Sequence, residues 1–115
     1  VRLAQAEAWY STAVRHINSG TGHEAAEGLV RQAKSLNPWD KKYDLARAYA
    51  LYGMFFRDRD PRTLELARSA ALASNGQMSL GAERENIIRK IDAARAAADR
   101  PRRQIRMRLR PGEGP

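Results

Sequence analysis

The sequence of 115 residues contains no cysteine, which excludes disulfide bonds, thiolate catalysis and cysteine-based metal sites. No apolar run approaches the roughly 18 residues that cross a bilayer, and the start VRLAQAEAWY lacks the charged-then-apolar order of a secretory signal. The only two histidines, His16 and His23, fall on different predicted elements, with Glu24 and Glu27 as the nearest acids, and a metal site would need a third ligand converging on both. We therefore expect a soluble domain, cytoplasmic or periplasmic, with no metal and no cofactor.

Patterns that carry catalysis are also missing. Gly20-Thr21-Gly22 resembles part of a phosphate loop, but it follows a predicted helix rather than a strand, and no Lys-Ser/Thr pair comes after it. The acids are scattered, and no G-x-S-x-G or H-E-x-x-H motif occurs. We expect a protein that is not an enzyme and has no small-molecule substrate.

The composition, 43% hydrophobic and 30% charged, fits one soluble globular domain. Because the sequence begins with Val1 rather than Met, we expect a piece of a longer or processed chain. Arginine outnumbers lysine 17 to 4, which indicates a GC-rich bacterial source. The net charge is +8, of which six arginines and one glutamate in residues 100–115 supply +5, so the remainder is nearly balanced.

Apolar residues recur every three or four positions along most of the chain, which predicts amphipathic helices. The five predicted helices cover about residues 2–18, 21–36, 41–57, 61–75 and 79–98. The third is apolar around most of its circumference, so neighbours should enclose it on several sides. No segment before residue 104 alternates with a period of two, and the predicted fold class is therefore all-α.

Capping residues mark where these helices begin and end. Thr21 and Glu24 have the T-x-x-E spacing of a capping box for the second helix, which Pro38 then stops. Asp40 is the predicted N-cap of the third helix. Asp60 is the predicted N-cap of the fourth, with proline in its first position.

Shifting the sequence by about 37 positions aligns Leu29–Ala33 with Leu66–Ala70, and it aligns the preceding helices as well. Two helices per period in the mid-thirties indicate a helical repeat. The expected domain, residues 1–98, comprises antiparallel hairpins at about 2–36 and 40–75, closed by a capping helix at about 79–98.

These residues resemble the tetratricopeptide repeat (TPR) family over about residues 5–75. The positions that match its pattern are Tyr10, Ala13, Val14, Ile17, Ala26, Val30, Ala33 and Pro38. The second unit departs from the pattern, with Asn75 where proline is usual. The resemblance implies that the hairpins stack as a right-handed array, and that Leu36-Asn37-Pro38 is the turn between units.

The same resemblance implies a non-catalytic protein-interaction or scaffold module of a larger bacterial protein, with a partner protein or peptide in a concave groove. The groove positions that it implies are Ser11, Arg15, Asn18, Ala48, Tyr52 and Phe55. Family members that grip a terminal carboxylate carry Lys and Asn where this chain has Ser11 and Arg15, which argues against that ligand. Independently, four aromatics lie within residues 49–56, more than one buried face can hold, so one or two should line a groove.

The last residues form a basic tail, about 99–115. Pro101 is expected to break the final helix, and Ile105, Met107 and Leu109 then alternate with arginines as in a strand. We expect a flexible terminus. An alternative is binding to an anionic membrane or to nucleic acid. The cations available for this are Arg100, Arg102, Arg103, Arg106, Arg108 and Arg110.

A second alternative comes from the run L-N-P-W-D-x-x-Y, followed by an alanine-rich helix. It also resembles repeat units at the ends of bacterial membrane enzymes of the O-antigen ligase and polymerase type. That resemblance implies a soluble TPR-like appendage of a polysaccharide-assembly enzyme, with the active residues elsewhere.

Overall fold

A computed structural model describes the backbone of residues 2–109 and the side chains of residues 2–98. Its helices are α1 (Arg2–Ser19), α2 (His23–Leu36), α3 (Lys42–Asp58), α4 (Pro61–Ala73) and α5 (Gly81–Leu109), with one 3₁₀ turn at Met78–Leu80 before α5. No strand occurs within residues 2–109. The predicted all-α class and the number of helices are confirmed.

Successive helices pack against each other, and α3 lies in the middle. It contacts α2 and α4, its neighbours in sequence, and also α1 and α5. The apolar core accordingly divides into two clusters on different sides of α3. Tyr43, Ala46 and Ala50 face α1 and α2, whereas Leu45, Ala48, Leu51 and Phe55 pack with residues of α4 and α5. The prediction that the third helix is enclosed on several sides is confirmed.

The start of α5 belongs to this core. Ile87 and Ile91 are fully buried against α3 and α4. Burying one such side chain stabilises the fold by about 1.5–3 kcal/mol. Arg68 and Asp92 add an ion pair between α4 and α5 at 3.1 Å. Helix α5 therefore packs against both α3 and α4.

The helix starts agree only in part with the predicted caps. Asp60 accepts the Arg62 amide at 2.9 Å, and Pro61 is the first residue of α4, as predicted. The prediction that Asp40 is the N-cap of α3 is wrong, because the helix begins at Lys42 and Lys41 occupies the cap position without a side-chain cap hydrogen bond. Asp40 instead lies one residue earlier and accepts the Lys42 amide at 3.1 Å. The Thr21 capping box is wrong, because α2 begins at His23 after Gly22 in a left-handed conformation. The Thr21 hydroxyl lies 3.0 Å from that of Ser19 instead.

The end of α5 also differs from the prediction. The helix continues past Pro101 to Leu109, so the predicted break and the strand pattern at residues 105–109 are wrong. An interior proline removes one hydrogen bond without having to end a helix. Ile105 and Leu109 also have the i, i+4 spacing of a helix, so alternation over five residues was a weak signal. Residues 110–115, including the predicted cation Arg110, lie outside the described residues.

Candidate partner-binding groove

Two adjoining clefts lie along α3, the first where α3 meets α1 and the start of α5, and the second where α3 meets the end of α1 and the start of α2. The first, here the lower cleft, has a volume of about 400 Å³, and the second, here the aromatic cleft, about 610 Å³. Residues lining the lower cleft are Tyr10, Val14, Ile17, Asn18, Lys42, Leu45, Ala46, Tyr49, Leu80 and Glu83. Residues lining the aromatic cleft are Ile17, Gly20, His23, Tyr49, Tyr52, Gly53, Phe56 and Arg57. Both include Ile17 and Tyr49, so together they form one groove.

Tyr49 joins the two clefts and is held in place from α5. Its hydroxyl donates to Glu83 Oε2 at 3.0 Å and accepts from Asn86 Nδ2 at 3.3 Å. Burial raises the pKa of Tyr49, the hydrogen bond from Asn86 lowers it, and Glu83 raises it further, with a net rise. The phenol is therefore neutral at physiological pH and ties α3 to α5 at the floor of the groove.

At one end of the lower cleft, the charges are already paired. Lys42 lies 2.6 Å from Glu7 and 3.5 Å from Asp40, and its ammonium is 4.8 Å from the centre of the Tyr10 ring. Burial acts to lower the pKa of Lys42, but the hydrogen bond to Glu7 and the charges of Asp40 and Glu7 outweigh it and raise the pKa. Tyr43 also donates to Glu7 at 3.2 Å.

The aromatic cleft presents a half-exposed ring on a rigid support. Phe56 is 47% exposed. Its ring meets those of Tyr52 and Phe55 edge to face, at centroid distances of 5.0 and 5.6 Å. Since Phe55 is buried in the core, the Phe56 ring rests on a fixed surface while about half of the side chain stays open to solvent. A partner's apolar side chain can pack on that exposed part without first ordering it.

His23 lines the aromatic cleft together with Phe56. Its ring lies so close to α3 that a Cβ atom at Gly53 would be 2.2 Å from His23 Cδ2 and 2.3 Å from Nε2. Burial, and then the charge of Arg57, lower the pKa of His23 below its ordinary value of 6.5. The neutral ring therefore adds apolar surface to the cleft at pH 7.

The structure brings two of the six predicted groove residues to this groove: Asn18 to the lower cleft and Tyr52 to the aromatic cleft. Ser11 and Arg15 are exposed on α1 but line neither cleft. The assignment of Ala48 and Phe55 is corrected, because they are 0% and 3% exposed and face α4 and α5.

Sequence reasoning missed Tyr49 and Phe56, although it noted that four aromatics in eight residues exceed one buried face. A signal was present in their spacing. Tyr49, Tyr52 and Phe56 are related by i, i+3 and i+7, which places them on one side of α3. His23 carried no signal, since its position depends on how close α2 lies to Gly53.

In the part of the chain whose side chains are described, no three His, Cys, Asp or Glu residues come together as a metal site would require. None of the helices within residues 2–109 is both long enough and apolar enough to span a membrane. No family model, curated protein or solved structure matches the chain.

Proposed function

We propose that this chain is a TPR-like interaction module whose hairpins stack as a right-handed array and which binds a segment of a partner protein in the groove between α1, α3 and α5. The order of packing supports the proposal, since each hairpin contacts the next through α2–α3 and α1–α3. Helix α5 takes the corresponding position after the second hairpin. Such arrays use the side lined by the first helix of each unit for binding.

The observation that carries the proposal is the open, largely apolar groove that ends at the half-exposed Phe56. Ligand sites in proteins commonly measure about 300–1,000 Å³, and the two clefts, about 400 and 610 Å³, fall in that range. They adjoin along the helices and are open to solvent. An elongated peptide suits this shape better than a compact ligand that needs enclosure.

The experiment is a selection from a displayed library of random 12-residue peptides on the immobilised chain, followed by fluorescence anisotropy with the enriched peptides. Phe56→Ala should weaken binding about tenfold or more, which corresponds to about 1.4 kcal/mol. Hot-spot aromatics commonly contribute at least that much.

Leu66→Ala is the matched control, because Leu66 is 49% exposed and lies on α4, outside both clefts. It should leave the affinity within about twofold. Thermal unfolding of both variants checks that the fold is intact. Failure to enrich any peptide, or equal weakening by the two substitutions, would contradict the proposal.

A further inference from the structure

The charge around the groove is uneven, and the cations without an ion-pair partner lie at the aromatic cleft. Arg57 lines that cleft. Arg59 follows two residues later, with its guanidinium carbon 5.5 Å from the centre of the Phe56 ring. Both arginines are exposed. One cation therefore lines the cleft beside Phe56, and a second lies over its ring.

Nearby carboxylates are engaged elsewhere. Asp58 accepts from the Asp60 amide and from the Thr63 hydroxyl, each at 2.9 Å. Asp60 caps α4 and pairs with Arg62 at 3.1 Å. These two carboxylates of the α3–α4 turn therefore accept hydrogen bonds that stabilise the start of α4.

Among residues 2–98, none of the ion pairs includes Arg57 or Arg59. Glu24 borders a shallow recess beside Arg57 but does not pair with it. The Arg57 charge contributes to the lowered pKa of His23, so positive potential reaches into the cleft. In the lower cleft, by contrast, Lys42 is already balanced by Glu7 and Asp40. Glu83 adds a carboxylate there that accepts from Tyr49 and forms no ion pair within residues 2–98, so this part of the groove is not cationic.

We propose that the partner segment is an acidic linear peptide, in which one large apolar side chain fills the aromatic cleft and a neighbouring Asp or Glu pairs with Arg57 or Arg59. This inference rests on the proposed function and adds the chemistry and direction of the ligand. The apolar side chain supplies most of the affinity, while the charges select the sequence and orient the peptide. Each exposed pair changes affinity by up to about fivefold and is weakened by salt.

The test uses the intact chain and the random 12-residue peptide library. Groove ligands are defined as peptides that the wild type retains and the Phe56→Ala variant does not. These peptides should be enriched in Asp and Glu next to an aromatic or large aliphatic residue. Replacing those acids by Asn and Gln in the best synthetic peptide should weaken binding about fivefold or more. The paired substitution Arg57→Glu with Arg59→Glu should shift the selection to Lys- and Arg-containing peptides.

Two further proteins make the comparison specific. Arg89→Glu with Lys90→Glu changes the net charge by the same amount at exposed positions of α5, outside both clefts, and should leave the acidic preference intact. The basic tail is present in every variant, so its attraction for acidic peptides is the same in each and does not produce a difference between them. If Arg57→Glu with Arg59→Glu unfolds the protein, Arg57→Gln with Arg59→Gln should still abolish the acidic preference.

Failures of the two proposals are distinguishable. Groove ligands with no excess of acidic residues would overturn the acidic-peptide inference and leave peptide binding in place. A library that yields no groove ligands would overturn both. A labelled single-stranded 12-nucleotide probe that binds through Phe56 and these arginines, with no acidic peptide retained, would replace the peptide with nucleic acid.

Discussion

Gly53 lies against the His23 ring, so adding a single Cβ atom at this position should displace one wall of the aromatic cleft. In an unstrained helix interior, Gly→Ala stabilises a protein by about 1 kcal/mol. At Gly53 the added Cβ would lie 2.2 Å from the His23 ring, far inside ordinary contact distance. Either the ring leaves its position or α2 shifts away from α3. Overpacking of this kind typically costs about 1–3 kcal/mol.

The net expectation for Gly53→Ala is a change in unfolding free energy between about zero and a loss of 2 kcal/mol. Gly28→Ala is the matched control, since Gly28 is also inside a helix and a Cβ there would meet nothing within 4 Å. It should gain about 1 kcal/mol. The unfolding free energy of Gly28→Ala should therefore exceed that of Gly53→Ala by about 1–3 kcal/mol, whichever denaturant is used.

The assay is urea unfolding followed by circular dichroism, with the denaturant slope checked for constancy. A double-mutant cycle with His23→Ala isolates the contact. In that background Gly53→Ala should stabilise by about 1 kcal/mol, as Gly28→Ala does. The reasoning is refuted if Gly53→Ala is as stabilising as Gly28→Ala in the wild-type chain, or if its effect does not depend on His23.

Three other predictions concern the charges and the core. Lys34 pairs with the buried carboxylate of Asp44. Since the Lys34 side chain is itself 42% exposed, Lys34→Met should cost less than the loss of a fully buried pair and lower the unfolding free energy in urea by about 1–3 kcal/mol. Lys34→Met with Asp44→Leu should recover part of that loss. Because the folded pKa of His23 lies below 6.5, the unfolded chain binds more protons at lower pH. Stability should therefore fall as the pH drops from about 7.5 through the ordinary value of 6.5 and the lower folded pKa, and His23→Gln should reduce that fall. An unchanged fall would contradict the assignment. Ala48→Leu should destabilise by about 1–3 kcal/mol in thermal unfolding, whereas Ser11→Leu, at an exposed position, should change little; equal tolerance would place Ala48 outside the core.

Much of the secondary structure was predictable because it depends on local chemistry. Helix periodicity, the Asp60-Pro61 start and the turn at Pro38 each require only residues within a few positions. The capping box at Thr21 failed because Gly22, in a left-handed conformation, sets the start of α2 at His23. The strand pattern near Leu109 failed because five residues are too few to separate a period of two from a helix.

The groove was less predictable, for a reason visible in α3. This helix carries three apolar stripes with nearly helical spacing: one through Tyr43, Ala46 and Ala50, one through Ala48, Leu51 and Phe55, and one through Tyr49, Tyr52 and Phe56. Successive residues are separated by about 100° around a helix, so the neighbours Phe55 and Phe56 face different surroundings. The sequence predicts that such a helix is central, but it does not say which stripe the other helices leave open.

By itself, the sequence determined an all-helical chain, most of the helix positions and the central place of α3, because these follow from periodicity and local capping. Only the tertiary structure decided that α4 and α5 bury Ala48 and Phe55, that Phe56 stays half exposed, and that Gly53 lets His23 pack against α3. Those outcomes depend on how the helices are rotated and how closely they approach. Both quantities are set by contacts between residues far apart in the chain.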